Sequence, residues 1–381
     1  MTPPVLTEFD KLIPLELHRL AIKNRGDDDV VAYYQINKPS DLISSAQLKR
    51  KDWPTVCLDL ESEDAPLLSI MNLKHPNILR IEAIQEMAKS DVIQKNLAVF
   101  VEPHDGPLSL FLMWLDLFEA YTMAVPSQSL RVVTRQMVYA IEELRINGFY
   151  HGDLTIHNIY YSKADGAIVV KFFNFRKRAM DLAAAQLQDW VGLGHILRAI
   201  SVAATYADMH ASCSIIDRLA SKLELLTDTS RLPMLKEEIL NDMYFWDSRI
   251  RTIFFIHEVP NLLKNEELVK WARNLTWQLP WDANPHGGLI EAMNKYREEV
   301  AIEEKYDGKD PGPEELKKHH YDGNDPIHNI QCMSGAYTHQ DKLLDAIEDH
   351  ERKKISVDVA VQKHQPELCL ILHRLLAGEV F

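Results

Sequence analysis

The hydrophobic period of this chain changes once, near residue 125, and that change restricts the fold to a sheet followed by helices. From about residue 17 to 105 the apolar residues come in short runs, LHRLAIKN, DVVAYYQI, TVCLDL and LAVFVE, separated by charged or Gly-containing breaks. Such runs are strand signals. APLLSIMNLKHP, between the third and fourth, is a helix candidate, so the order predicts a small antiparallel sheet with one packed helix. Beyond residue 125, Leu130, Val133, Met137, Ile141 and Leu144 recur at helical spacing and Gly148 supplies a C-terminal stop. HGDLTIHN, residues 151 to 158, follows at once. AIVVKFFNF then reads as a hairpin strand, and DWVGLGHILRAI as a mostly apolar, buried helix. Residues 245 to 300 are helical by pattern. KYDGKDPGPEEL, 305 to 316, is expected to be a solvated loop, and the short duplicates YDGKDP and YDGNDP to be turns. In LCLILHRLL, residues 368 to 376, Leu368, Ile371, Leu372 and Leu375 share one helical face, which predicts a buried helix.

With 381 residues the chain has room for two or three domains, and 46% hydrophobic with 26% charged residues is ordinary for a soluble globular protein. A net charge of -14 argues against non-specific coating of nucleic acid, whose affinity comes from phosphate neutralisation by Lys and Arg. A local RNA site stays open. Cys57, Cys213, Cys332 and Cys369 form no CxxC pair, which suits a reducing, cytoplasmic setting without zinc or a disulfide framework. No basic leader with an apolar core opens the chain, and no apolar run approaches membrane-spanning length.

The motifs His75-Pro76-Asn77-Ile78, His151-Gly152-Asp153-Leu154, Asn158-Ile159, and Asp189-Trp190 with Leu193-Gly194 stand in an order and spacing that resemble a protein kinase domain. The resemblance implies a bilobal kinase-like fold over residues 17 to 244, with a small lobe at 17 to 105 and a large lobe at 106 to 244, after an N-terminal extension of residues 1 to 16. It also implies a nucleotide pocket at Asp59, Glu102, Asn158 and Asn174, with Asp153 as catalytic base. Kinase chemistry is mostly charge stabilisation around phosphates and metal, and here that provision is degenerate. Asp59 stands where a lysine would grip phosphates. The glycine loop reduces to NRGDDDV, whose aspartates repel phosphate. Asn174 offers a carbonyl where a carboxylate would hold magnesium. Gly152 takes the place of an arginine, and residues 175 to 188 contain no Ala-Pro-Glu. These losses speak against ATP or ADP binding and identify the body as a pseudokinase, with Asp153 idle or held as a hydrogen-bonding loop residue.

FWDSRIRTIFFIHEV, 245 to 259, follows with almost no spacer, and YDGNDPIHNIQCMSGAYTH, 321 to 339, lies further on. Both are similar to segments of ribonuclease L and the kinase/endoribonucleases of the unfolded-protein response, in which a kinase-extension nuclease domain succeeds the kinase domain. The resemblance implies an α+β chain in which an all-α nuclease-like domain spans 245 to 381, with a loop at 303 to 320. That family cuts RNA without metal, by attack of the ribose 2′-OH on its own phosphate. The reaction needs a proton acceptor, a proton donor and groups that stabilise the phosphorane. The resemblance assigns His339 as general acid and Tyr321 as the residue that positions or deprotonates the nucleophile. The family's arginine and asparagine positions are Ser334 and Gly335 here, a loss expected to cost several kcal/mol of barrier, since one oxyanion donor alone is worth roughly 3 kcal/mol. The plainer alternatives are that His339 is a polar helix-end residue, Tyr321 a surface aromatic, and Lys317, Lys318, His319 and His320 a solvated basic cluster.

Three functions stay open at this stage. The chain could be a non-catalytic module for RNA, stress or defence signalling, pairing with itself or with related kinase-nuclease proteins. It could be a weak metal-independent endoribonuclease for single-stranded RNA, activated by dimerisation. Or it could be an atypical ATP-binding serine/threonine kinase using Asp153 and Asn158. None of the three calls for a metal at the nuclease-type site, for DNA or for a membrane.

Overall fold

In a computed structural model the protein is described at residues 17–21, 31–35, 44–48, 51–58, 70, 73–86, 97–112, 115–119, 125–164, 167–173, 175, 178, 180–207, 214–273, 289–305, 309, 311–321, 325–343, 356–364 and 368–376. It forms two compact units, one of Met1–Leu115, Val132–Leu197 and Ala220–Leu240, the other of Asp116–Arg131, Arg198–Leu219 and Asn241–Phe381.

The first unit contains a six-stranded antiparallel sheet of order β1-β2-β3-β4-β6-β5, made of β1 (Leu17–Ala21), β2 (Val31–Gln35), β3 (Ser44–Leu48), β4 (Lys51–Leu58), β5 (Ile81–Glu86) and β6 (Leu97–Val101). All four expected strand runs are there. The expectation missed β3, which is polar (SSAQL), and β5, where a bulge between Ile81 and Ala83 interrupts the alternation. Of the expected APLLSIMNLKHP helix, only Ile70 is helical among the described residues, and most of that stretch lies outside them. A second sheet joins β7 (Gly106–Pro107), β8 (Ile159–Ala164) and β9 (Ala167–Phe172), followed in sequence from β7 by the short α1 (Leu108–Leu112).

The strongest helical period becomes α2 (Gln128–Ile146), with Leu130, Val133, Met137, Ile141 and Leu144 all buried. It ends as its sequence requires. Gly148 adopts φ +75°, which a side chain would resist, and the Gly148 and Phe149 amides bond back to Arg145 and Leu144. The apolar DWVGLGHILRAI stretch lies within α3 (Leu182–Ala207), followed by α4 (Ser214–Glu224) and α5 (Leu232–Leu240).

In the second unit α6 (Ser248–Ile253) passes through a π-helical turn at Phe254–Glu258 into α7 (Val259–Leu262), and α8 (Glu266–Arg273), α9 (Leu289–Lys305), α10 (Pro313–Leu316), α11 (Pro326–Thr338), α12 (Gln340–Leu343), α13 (Val357–His364) and α14 (Leu368–Leu376) follow. The stretch expected as a loop at 303 to 320 is corrected: α9 runs to Lys305, and α10 is a helical turn started by Pro313 with Glu314 and Glu315 in its first turn, a placement that suits both proline and the positive end of a helix. The YDGKDP and YDGNDP turns lie mostly outside the described residues. The tail helix α14 buries Leu368 and Leu372 as its pattern predicts.

A buried ionic network organises this unit. Arg251, 2% exposed, reaches both Asp358 carboxylate oxygens, at 2.7 to 3.2 Å, Glu119 at 2.9 Å and the Trp246 carbonyl at 2.9 Å. Tyr337 donates to Asp358 at 2.6 Å and stacks on Phe255, centroids 4.5 Å apart. Burial works against the Arg251 charge, yet the Asp358 and Glu119 carboxylates hold it protonated beyond the ordinary arginine range. Burial, then Asp358, push the Tyr337 phenol well up, so it stays a donor.

Candidate functional site

The HGDLTIHN loop is held from below by α3. The Asp189 carboxylate accepts the His151 amide at 2.5 Å and the Gly152 amide at 3.0 Å, and it is almost fully buried. Gly152 has φ +82° and its carbonyl accepts from Arg178. Gly192 permits the close approach of the loop to α3, and Gly194 that of α4. A Cβ at Gly192 would stand 2.9 Å from the Leu154 carbonyl oxygen, and one at Gly194 2.9 Å from the Ala220 carbonyl oxygen. Burial pushes the Asp189 carboxyl up to about 7, against the two amide bonds that favour its charged form.

Asp153 and Asn158 are brought together. The Asn158 amide donates to the Asp153 carbonyl at 2.8 Å and to its carboxylate at 3.0 Å, while the Asn158 carbonyl accepts from Phe173. Glu102 is engaged elsewhere, accepting Lys171 Nζ at 2.8 Å and the Arg80 amide at 3.0 Å. Asp59 and Asn174 lie outside the described residues. Sequence reasoning missed Lys171, whose place in the strand AIVVKF carries no mark of its partner.

In the helical unit Tyr321 and His339 both lie along the seam of α9 and α11. The Tyr321 amide donates to Asn294 at 2.8 Å, and the Arg297 guanidinium carbon lies 4.2 Å over its ring. The Tyr321 hydroxyl approaches α11 where Gly335 leaves room, since a Cβ there would come within 3.2 Å of it and 3.0 Å of the Met293 methyl. Burial raises the Tyr321 phenol, and the Arg297 charge opposes part of that rise. His339 caps α11, its amide bonded to the Gly335 carbonyl at 2.9 Å, and its Nδ1 meets the Tyr296 hydroxyl at 3.1 Å. Ser334 is buried and donates to the Phe255 carbonyl at 2.8 Å. The basic cluster is locally paired: Lys317 with Glu314, Lys318 with Glu315 and His320 with Glu298. Asn294, Tyr296 and Arg297 escaped the sequence reading; the one available signal was the three-residue spacing of Asn294 and Arg297 on a helix.

Among the described residues, no cluster of three His, Cys, Asp or Glu suits a metal, and no helix is long and apolar enough to cross a membrane. No protein-family model matches the chain, and no curated protein matches it. Among solved structures, the chain is similar to a protein kinase in the crystal structure of Rad53 1-466 in complex with AMP-PNP, with 16% sequence identity and a TM-score of 0.35, over 61% of this chain and 65% of that one. This chain thus spans a little under two thirds of the length of that neighbour.

Proposed function

We propose that this protein is a kinase-shaped body without phosphotransfer machinery joined to a helical domain of the kinase-extension nuclease type, and that it acts as a regulatory module in RNA signalling, paired with a second copy or with a related kinase-nuclease chain. The observation that carries the first half is the Lys171–Glu102 ion pair, side chains 11% and 20% exposed. A cation and a carboxylate beside the implied nucleotide pocket satisfy each other, and no lysine stands at position 59 to take up phosphate. Asp153 is likewise bonded by Asn158. The test is transfer of radiolabelled γ-phosphate from ATP by the purified chain, alone or with a generic protein substrate. No transfer is expected; transfer that stops on Asp153→Asn would overturn the proposal.

A second reading, a metal-independent RNA endonuclease, is favoured by one observation: the Tyr321 hydroxyl approaches α11 at Gly335, whose carbonyl accepts the His339 amide. On this reading the raised Tyr321 phenol positions substrate as a donor, and His339 protonates the leaving 5′-oxygen. Labelled single-stranded RNA incubated in EDTA would then give cyclic-phosphate ends that vanish in His339→Ala. Intact RNA at every protein concentration removes this second reading and leaves the regulatory one.

A further inference from the structure

The chain that follows β9 is fastened at Phe175, Arg178 and Asp181, each three residues after the last. Phe175 is buried, and its ring lies 4.9 Å from that of His151. Arg178 grips the HGDLTIHN loop and the residue before it: its amide donates to the Tyr150 hydroxyl at 3.2 Å, and its guanidinium Nε donates to the Gly152 carbonyl. Asp181 ties the run to the start of α3, its carboxylate accepting the Ala184 amide at 2.9 Å and its carbonyl the Ala185 amide at 3.0 Å. Asp189 holds the same loop through the His151 and Gly152 amides, and the Arg178 charge favours the ionised form of that carboxylate.

A segment can be drawn onto a neighbouring loop by a phosphate on the segment and a cation in the loop. Neither partner exists in this sequence. Residues 174 to 188 contain no Ser, Thr or Tyr to carry a phosphate, and HGDLTIHN contains no Arg or Lys to receive one. The cation stands on the segment, as Arg178, and its acceptor is a backbone carbonyl of the loop. We propose that Arg178 is a permanent clasp, which fixes the HGDLTIHN loop against the segment after Phe175 in one arrangement without phosphorylation or bound nucleotide. Signals that regulate this body therefore enter through other surfaces, because this segment has a single setting. The inference goes beyond the lack of phosphotransfer, since an idle site does not by itself require an ordered loop.

The experiment is hydrogen–deuterium exchange read by mass spectrometry on the full chain, without ligand and with ATP and magnesium, for the wild type, Arg178→Ala, Arg178→Lys and Tyr150→Phe. In the wild type, peptides covering the loop and the segment up to the start of α3 should be protected without ligand, and ATP with magnesium should leave them unchanged. Arg178→Ala should speed exchange in both by about tenfold, as expected for losing a hydrogen bond from a charged donor, while peptides of α2 keep their wild-type rates. Arg178→Lys, which keeps the charge but not the guanidinium Nε, should fall between the two. Tyr150→Phe, which removes only the hydroxyl that accepts the Arg178 amide, should give a smaller acceleration. If Arg178→Ala also speeds exchange in α2, its effect is global, and the other two variants give the reading: local acceleration supports the clasp, and wild-type rates in both overturn it. Wild-type rates in Arg178→Ala overturn it as well, as does a wild-type loop that exchanges freely until ATP is added.

Discussion

Arg251 and Asp358, far apart in the chain, meet as a fully buried pair with three guanidinium–carboxylate contacts of 2.7 to 3.2 Å, and Tyr337 completes the carboxylate's coordination. A pair of this kind is not in itself a large source of stability, because desolvating two charges offsets most of their attraction. Removing one member is another matter.

Arg251→Met should therefore destabilise the protein by about 3–5 kcal/mol by stranding the Asp358 charge, read as a fall in the urea midpoint at constant slope. The double variant Arg251→Met/Asp358→Leu should recover much of that loss. A single variant as stable as wild type would show that the network bears little on folding.

Asp189 makes stability depend on pH. Its carboxyl titrates near 3.8 when unfolded and is pushed up to about 7 by burial when folded. Between those values the folded state holds the extra proton, so the linked stabilisation is full below about pH 4 and is lost as pH rises towards 7, on the order of a few kcal/mol in all. Denaturation curves at about pH 5 and pH 8 should show it, and Asp189→Asn, which cannot ionise, should flatten the difference. An equal pH dependence in that variant would assign the effect to other groups.

Gly194→Ala should destabilise by about 1–3 kcal/mol, the usual range for overfilling a packed core. Its new methyl would meet the Ala220 carbonyl and Leu223 Cβ at 2.9 Å, contacts made by helix backbone and a stem carbon that cannot swing away. Gly148→Ala meets nothing within 4 Å and tests only the left-handed backbone there; thermal melts of the two separate crowding from conformation.

Nucleotide should leave the melting temperature unchanged. A ligand present at 100 times its dissociation constant adds about 2.7 kcal/mol, easily seen by thermal shift, so a flat response to ATP and to ADP, with and without magnesium, is expected. A clear upward shift that Lys171→Met abolishes would mean that the Lys171–Glu102 pair opens to bind nucleotide.

What could be read in the sequence was what local periodicity encodes. The α2 face from Leu130 to Leu144, the Gly148 stop and the buried Leu368 and Leu372 follow from spacing alone. β3 did not, because SSAQL has neither β-branched residues nor alternation, and its strand state comes from pairing with its neighbours. α10 was hidden by the Gly/Pro composition around it. At the candidate sites, Asp153, Asn158, Tyr321 and His339 could be named from motifs, whereas Lys171, Arg251 and Arg297 could not. Each is a lone charge whose significance lies in a distant partner or ring, and a single sequence does not record who meets whom.

Ser334 has a further consequence through the π-helical turn at Phe254–Glu258. Widening the helix there sends the Val259 amide back to Phe254, and the Phe255 carbonyl finds its donor in the Ser334 hydroxyl. An arginine placed at 334 would have to fit a closed space and would leave that carbonyl unsatisfied. Ser334 thus serves as a strut of the helix wall, and the cost of any larger side chain at that position falls on the wall itself, whatever charge the newcomer carries.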